Sequence, residues 1–325
     1  SNNSSYYAYY LKTVTANFES TNPDVASISS STISCDVDKI TNGTTYTSTA
    51  CDITLPTITV KDGYTNNGWN TDKKALTGEY NKVIKINSDT KYYTIIGKKA
   101  IILTATFNKN GAKSQTKINS QGNEEMSSDD SVTRTCTLDE IKNIVSQSQA
   151  TSCNITTPDV EGMAGFNVVS PAYAKESNAT IGVVDKSTTL ELTKNEVYYA
   201  ITKKDAVILT AGFNANGNNL SSSEQKNCIL AAVYNGAKQD TSCSVTAPII
   251  TAPDNTPIII GYSTSASSHS KDEAYNEGNN KITLTASNTN QTWYAQTKSK
   301  EITYNVKSYN VGKNVSAINE DKAKK

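Results

Sequence analysis

The sequence predicts an all-β, β-rich protein made of three tandem small β domains, each with one hairpin disulfide. Ser, Thr, Asn and Tyr are abundant, whereas there are only 2 Met and 4 Phe. Tyr, Ile and Val recur with the period of two that is typical of strands. The six cysteines fall into three local pairs. Other motifs repeat in a fixed order every ~85–105 residues, which indicates tandem domains.

The stretch from Cys228 to Cys243 predicts a β-hairpin closed by its own disulfide. Asn235-Gly236 is a strong signal for a two-residue type I′ turn, because both residues tolerate a positive φ. In such a hairpin, opposed residues have a constant sum of residue numbers, and the two cysteines have the same sum as Asn235 and Gly236. The turn therefore places the two sulfurs opposite each other.

The other four cysteines repeat this arrangement. Cys35 and Cys51 flank Asn42-Gly43, as a three-residue turn would give. Between Cys136 and Cys153, residues 138–145 look helical and replace the Asn-Gly turn. Six cysteines allow 15 connectivities, and the repeat favours the three local pairs. Paired cysteines indicate an oxidising, extracellular location, and the spacing typical of zinc sites is absent.

The remaining elements of each domain also follow a fixed order. A first strand leads into the cysteine hairpin, and the strand after the second cysteine is ended by a Pro, which cannot continue the ladder. A Gly-aromatic pair follows, which we interpret as a plug of the core. An alternating strand then closes the domain and leads to an aromatic pair. The prolines and the predicted plugs are Pro56, Pro158 and Pro248, and Gly68-Trp69, Gly165-Phe166 and Gly261-Tyr262.

These repeats place the domains at residues 1–97, 98–203 and 204–299. Residues 300–325 are then the first strand of a further unit, or an exchanged or frayed C-terminal tail. Residues 1–10 look like the closing strand of a preceding unit. This phase suggests head-to-tail self-association, in which the C-terminal strand of one copy pairs with an edge near the N terminus of the next. The alternative is a fragment of a longer array.

The order of the motifs resembles a known family, the Listeria–Bacteroides repeat, also called the internalin B-repeat. The run Leu55-Pro56…Lys61-Asp-Gly-Tyr64…Gly68-Trp69-Asn-Thr-Asp-Lys73, ending in Thr90-Lys-Tyr-Tyr93, is similar to its pattern. Phe107…Asn110-Gly111 and Phe213…Asn216-Gly217 match its opening, and Trp293-Tyr294-Ala295 matches its close. The resemblance implies a β-grasp-like module on secreted or cell-wall proteins of Gram-positive bacteria, acting as a stalk or adhesive element. A sandwich-like β domain is the alternative fold.

Composition and charge argue against several classes of function. The formal net charge is +0 and Arg134 is the only arginine, so we expect no binding of nucleic acid. No run approaches the ~18 apolar residues of a membrane span, so we expect no membrane insertion. We also expect no cofactor and no metal: there is no phosphate-binding Gly-rich loop, and residues 214–219 lack the carboxylates of a calcium loop.

The sequence offers no convincing set of catalytic residues. His269 is the only histidine, in a Ser-rich segment without a partner that would orient it. Glu124-Glu125 and Asp129-Asp130 are interpreted as carboxylates of a solvated loop, not as a glycosidase pair. We therefore predict that the protein is not an enzyme, with a surface hydrolase as a remote alternative.

The predicted function is a non-enzymatic structural or adhesive module of a secreted or cell-surface bacterial protein: a stalk, a fibre or filament subunit, or a tandem binding array. The alternative is a dedicated adhesin whose partner is a host surface protein or glycan. Exposed aromatic rings give large contact area at low entropy cost, although the same residues also suit a sheet edge or a domain junction. The candidate ligand or inter-subunit contacts are Tyr6, Tyr7, Tyr9, Tyr10, Trp293 and Tyr294.

Overall fold

The structure is a computed structural model of the 325-residue chain. It describes residues 8–42, 45–79, 82–222, 224–253, 258–268, 273–274 and 280–298. Over these residues the fold is all-β and contains no helix, which confirms the predicted fold class. A β-grasp requires a helix across its sheet, so the sandwich-like alternative fits the described residues better. The helix predicted at 138–145 was wrong: this segment is the end of a strand, an isolated bridge at Ile141 and a turn.

We call the three predicted domains repeats 1, 2 and 3. The strands described in repeat 1 are β1 (Ala8–Glu19), β2 (Ala26–Ile28), β3 (Thr32–Asn42), β4 (Thr45–Ser48), β5 (Cys51–Thr54), β6 (Ile58–Val60), β7 (Tyr64–Asn70), β8 (Val83–Ile86) and β9 (Thr90–Lys98). A five-stranded sheet has the order β4-β3-β1-β9-β7, and the pairs β2-β6 and β5-β8 form two small sheets.

Repeat 2 follows the same plan. Its described strands are β10 (Ile101–Asn108), β11 (Ser114–Ile118), β12 (Glu124–Ser127), β13 (Ser131–Leu138), β14 (Cys153–Thr156), β15 (Val160–Glu161), β16 (Asn167–Ala174), β17 (Thr189–Leu192) and β18 (Glu196–Lys204). The main sheet contains the order β13-β10-β18-β16, and the small sheets are β12-β11-β15 and β14-β17.

Repeat 3 repeats the plan once more. Its described strands are β19 (Val207–Asn214), β20 (Asn219–Leu220), β21 (Gln225–Leu230), β22 (Val233–Tyr234), β23 (Ser242–Thr246), β24 (Ile250–Thr251), β25 (Ile258–Ser263), β26 (Glu273–Ala274), β27 (Lys281–Thr285) and β28 (Gln291–Lys298). The main sheet has the order β21-β19-β28-β25-β26, and the small sheets are β20-β24 and β23-β27.

Each repeat has its own cluster of buried apolar residues between the main sheet and the small sheets. In repeat 2, for example, Leu103 and Phe107 of the main sheet pack with Ile155 and Leu192 of the β14-β17 pair. The described residues nevertheless form two compact units, one within 8–164 and 168–202, the other within 165–167 and 203–298. The first unit holds two cores, so the division into three domains stays a prediction.

The cysteines pair as predicted, but not within hairpins. The disulfides are Cys35–Cys51, Cys136–Cys153 and Cys228–Cys243, with Cα–Cα distances of 6.2, 5.9 and 6.0 Å. In each repeat the first cysteine lies in the main sheet and the second in a small sheet: in repeat 3, β21 pairs with β19 and β23 pairs with β27. The disulfides therefore join two layers of the fold.

The Asn235-Gly236 turn itself was predicted correctly. Both residues have positive φ, 54° and 74°, and Ala237 N donates to Tyr234 O at 2.9 Å. The flanking residues do not pair with each other along the whole stretch, however, because Val233 and Tyr234 pair instead with Lys204 and Lys203. The turn at Asn235-Gly236 was thus predicted correctly, but the pairing partner of the strand before it was not.

A buried aromatic ring covers the core of each repeat, as predicted, but its position in repeat 2 was predicted wrongly. Phe166 is only half-buried, whereas Tyr173 is fully buried. The rings that meet the phenylalanine of the first strand edge-on are Trp69, Tyr173 and Tyr262, at centroid distances of 4.9, 5.0 and 5.2 Å. The polar tip of each ring donates to the carbonyl of Pro56, Pro158 or Pro248, respectively.

Replacement of Tyr173 by Phe tests this arrangement. The single proton of the Tyr173 hydroxyl is shared between Gln115 Oε1, at 3.1 Å, and Pro158 O, at 3.3 Å, in a buried site. Because the substitution leaves buried acceptors unsatisfied, we expect a loss of about 1–3 kcal/mol in the free energy of unfolding, measured by urea denaturation. Tyr199→Phe is the control, since among the described residues the half-buried Tyr199 hydroxyl shows no hydrogen bond. Equal effects of both variants would contradict the interpretation.

Candidate functional site

The residues considered for catalysis do not form a site in the part of the chain that the structure describes. His269 lies outside the described residues. The carboxylates form ion pairs with cationic side chains: Glu124 with Arg134, Glu125 and Asp129 both with Lys117, and Asp130 with Lys109. Within the described residues there is no group of three or more His, Cys, Asp or Glu that could hold a metal ion. No helix among them is long and apolar enough to cross a membrane.

Several aspartates of repeat 2 are stabilised in the charged form. A hydrogen bond from Lys186 Nζ at 2.7 Å, helped by one from Val160 N, lowers the pKa of Asp159 below its ordinary value. Ser170 and the Lys186 backbone lower the pKa of Asp185. These groups are polar contacts between loops and strands. A role in stabilising the fold explains them more simply than a role in catalysis.

These lowered pKa values predict a loss of stability in acid. A carboxyl group whose pKa is lower in the folded than in the unfolded state stabilises the fold above its unfolded pKa, and this contribution disappears as the pH falls through the folded pKa. We therefore expect a Tm that is nearly constant above pH ~5 and falls below pH ~4. In calorimetry, Asp159→Asn should reduce this acid dependence, whereas Asp62→Asn, at an exposed turn of repeat 1, should not. An unchanged slope in Asp159→Asn would refute the assignment.

The structure answers the predictions for the aromatic contacts only in part. Tyr6 and Tyr7 lie outside the described residues, and for Tyr9 and Tyr10 only the backbone, in β1, is described. Trp293 is 5% exposed and belongs to the core of repeat 3, so it was wrongly predicted as a surface contact: the alternation of β28 points it inward. Tyr294 is half-buried.

The residues with a faint likeness to a calcium loop also have a structural role. Asn216 has a positive φ of 48°. Its Nδ2 group donates to Ala266 O and Ala295 O, both at 3.0 Å. The side chain thus ties the turn after the first strand to the last strand of the repeat.

The most developed polar site within the first compact unit is the junction between repeats 1 and 2. We call residues 139–149, between β13 and β14, the junction loop. Its backbone extends the sheet of repeat 1: Lys98 and Ile141 exchange hydrogen bonds of 2.9 and 3.0 Å, and Ile144 N donates to Ile96 O at 2.9 Å. The Ile144 side chain packs against the core of repeat 1. The loop therefore belongs to repeat 2 in sequence and to repeat 1 in packing.

Asn143 is the central polar residue of this junction. It is fully buried, and its Nδ2 group donates to Lys73 O at 3.0 Å and to Ala75 O at 2.6 Å. Its Oδ1 atom accepts from Val145 N at 2.8 Å. One side chain therefore satisfies two carbonyls of repeat 1 and one amide of its own loop. A buried amide with its hydrogen bonds satisfied in this way specifies a single arrangement.

The opposite side of the junction is shaped to accept the loop. Asn67 Nδ2 donates to Lys142 O at 2.7 Å. A Cβ atom added at Gly97 would lie 2.6 Å from Ile141 O, which is closer than nonbonded atoms approach. Gly97 is therefore required for the close contact of the two backbones.

An equivalent glutamine contact occurs in repeats 2 and 3. Gln149 Nε2 donates to Lys99 O and Asp139 O at 2.8 and 2.9 Å. Within the second compact unit, Gln239 Nε2 donates to Asp205 O and Ala231 O, both at 2.9 Å. Both glutamines stand four positions before the second cysteine. The backbone pairing of Ile141 also recurs. The residue five positions after the first cysteine pairs with an earlier strand residue in every repeat: Ile40 with Tyr9, Ile141 with Lys98 and Val233 with Lys204.

Sequence reasoning missed these junction residues, although a signal was present. Asn143 and Asn235 both stand seven positions after the first cysteine of their repeat, and Asn42 holds the same place in repeat 1. Asn42 and Asn235 were each followed by glycine and were predicted as hairpin turns. Asn143 has no following glycine, so it was not recognised as the equivalent residue. Alignment of the three cysteine stretches by their first cysteine would have identified the position.

Comparisons with known proteins do not identify the chain. No protein-family model matches it, and no curated protein matches it either.

Replacement of Asn143 by Asp tests the junction. The aspartate keeps the acceptor for Val145 N but directs a carboxylate at two buried carbonyl groups. We expect at least tenfold faster hydrogen exchange at the Ile141 and Ile144 amides, with the cores unchanged. Asn123→Asp makes the same chemical change at an exposed turn and should leave exchange unaltered. Protection of both amides in Asn143→Asp would show that the amide bridge does not hold the loop.

Proposed function

We propose that the chain is a non-enzymatic structural or adhesive array of a secreted or cell-surface bacterial protein, in which a junction loop holds one repeat to the next. The observation that carries this proposal is the buried Asn143 bridge between repeats 1 and 2. A flexible linker between independent modules needs no fully satisfied buried amide. Such a bridge suits a protein that has to hold neighbouring repeats in a fixed arrangement.

Two further observations support the proposal. The three closed disulfides indicate an oxidising environment such as the extracellular space. The candidate catalytic carboxylates, Glu124, Glu125, Asp129 and Asp130, all form ion pairs with lysine or arginine. An array of repeats that differ little in plan is typical of stalks and fibre subunits, and the resemblance to the internalin B-repeat points to the same class of function.

The alternative function is an adhesin that binds a receptor or a glycan through exposed aromatic rings. Burial of Trp293 removes one of its candidate contacts. A screen of the full, oxidised chain against glycan and host-protein arrays separates the two functions. Specific binding that is lost on substitution of Tyr9 or Tyr10 would favour the adhesin, and the absence of binding would favour the stalk or fibre subunit.

A distance measurement tests the structural array directly. Spin labels that do not react through cysteine are placed at Val83 in repeat 1 and Ile181 in repeat 2, which are 55% and 77% exposed. Pulsed electron resonance of the full chain should give one narrow distance distribution. Asn143→Asp should at least double its width, and Asn123→Asp should not. A native distribution as broad as that of Asn143→Asp would contradict the proposal.

A further inference from the structure

In each repeat the strand by which the chain enters pairs in parallel with the strand by which it leaves. In repeat 1, Ala16–Glu19 of β1 lie beside Thr90–Tyr93 of β9. The equivalent pairs are 105–108 with 196–199 in repeat 2 and 211–214 with 291–294 in repeat 3. In all three main sheets this pair has a neighbouring strand on each side. Both neighbours are antiparallel in repeats 1 and 3, and β13 is antiparallel to β10 in repeat 2. The first and last strands therefore form the centre of the sheet.

This geometry determines how a repeat responds to tension. The chain before the pair leaves one strand at its N-terminal end, and the chain after the pair leaves the other at its C-terminal end. Because the strands are parallel, a pull on the two flanks drives them in opposite directions along their axes. The evenly spaced hydrogen bonds of a parallel pair are then sheared together. In an antiparallel hairpin the same pull would open them one after another.

Side-chain hydrogen bonds strengthen the start of this pair. In repeat 1, Thr15 N donates to Asp89 Oδ1 at 2.9 Å. In repeat 2 the same bond runs from Thr104 N to Asn195 Oδ1, also at 2.9 Å. In repeat 3 it runs from Thr210 N to Thr289 Oγ1 at 3.0 Å. Three different acceptors therefore make one equivalent bond.

The far end of the pair is tied in a similar way. In repeat 1, Thr21 N donates to Thr94 Oγ1 and Thr21 Oγ1 donates to Thr94 O, both at 2.9 Å. In repeats 2 and 3 an asparagine side chain does this: Asn110 Nδ2 donates to Ala200 O and Asn216 Nδ2 to Ala295 O, both at 3.0 Å. Each tie joins the chain after the first strand to the last strand, and it has to break when the two strands slide apart.

We propose that each repeat is a shear clamp, and that the protein's task is to carry tension along its length. This inference rests on the proposed structural function and specifies the kind of force that the protein resists. The force path is short, because β9 ends at Lys98 and β10 begins at Ile101, while β18 ends at Lys204 and β19 begins at Val207. The disulfide of each repeat lies between its two terminal strands in sequence and limits the extension after a clamp fails.

Single-molecule pulling on the full chain, held by handles at its two ends, tests the proposal. The oxidised protein should unfold in three discrete events. The disulfides close separations of 16, 17 and 15 residues and each spans about 6 Å between Cα atoms, so reduction should lengthen each event by about 50 Å, at about 3.5 Å per residue. A lengthening of all three events would show that each event is the unfolding of one disulfide-containing repeat.

A matched pair of variants in repeat 2 then tests the clamp itself. Asn110 and Ser187 both have positive φ, 46° and 53°, so glycine is tolerated at either position without backbone strain. At constant force, Asn110→Gly should speed one of the three events about tenfold, whereas Ser187→Gly should change its rate less than about twofold. Tyr173→Phe should lower the Tm more than Asn110→Gly but speed the forced event less.

The contrary results are equally distinct. Extension without discrete events, or an Asn110→Gly rate equal to that of Ser187→Gly, would overturn the shear clamp. So would forced unfolding rates that simply follow the Tm of the three variants. None of these outcomes depends on the junction between repeats 1 and 2. The distance measurement on that junction can therefore succeed while the clamp fails, or fail while the clamp succeeds.

Discussion

The covalent link between two layers of sheet is the constraint on which the rest of the structure depends. The cores of the repeats are small, and a small core leaves little margin of stability. A disulfide that closes a loop of about 15 residues adds roughly 3 kcal/mol by the chain-entropy estimate. In repeat 3, Cys228 belongs to the main sheet and Cys243 to the β23-β27 pair. The bond therefore holds the two layers against the core, which a bond within one hairpin would not do.

The same constraint fixes the junction. The junction loop lies between Cys136 and Cys153, so the chain on both sides of it is held on the body of repeat 2. Asn143 and Gln149 lie inside this closed loop and make its bonds to repeat 1 and to the connecting residue Lys99. A loop with fixed ends loses less conformational entropy on docking. Stability of the repeat and attachment to its neighbour thus have a common physical cause.

Much of the fold was predictable because its signals are local. The strands after the second cysteines end before the prolines, as predicted, and the alternating closing segments are strands. The errors arose where one local sequence signal is compatible with more than one tertiary arrangement. Asn235-Gly236 forms the expected turn, but a tight turn does not determine which strands pair beyond it. Tyr173 is buried in place of Phe166 because Tyr173 lies within β16, whereas Phe166 precedes the strand. The site was not predicted, because its bonds join residues about 70 positions apart.

Comparison of the three repeats shows what the fold requires. The ring that covers the core is a tryptophan once and a tyrosine twice, yet its polar tip always reaches a proline carbonyl. The tie at the end of the parallel pair is a threonine in repeat 1 and an asparagine in repeats 2 and 3. Residue identity varies while the bond is kept. A protein that conserves bonds and not residues between its own repeats is difficult to recognise from sequence motifs, and its function is better sought in the direction in which those bonds resist force.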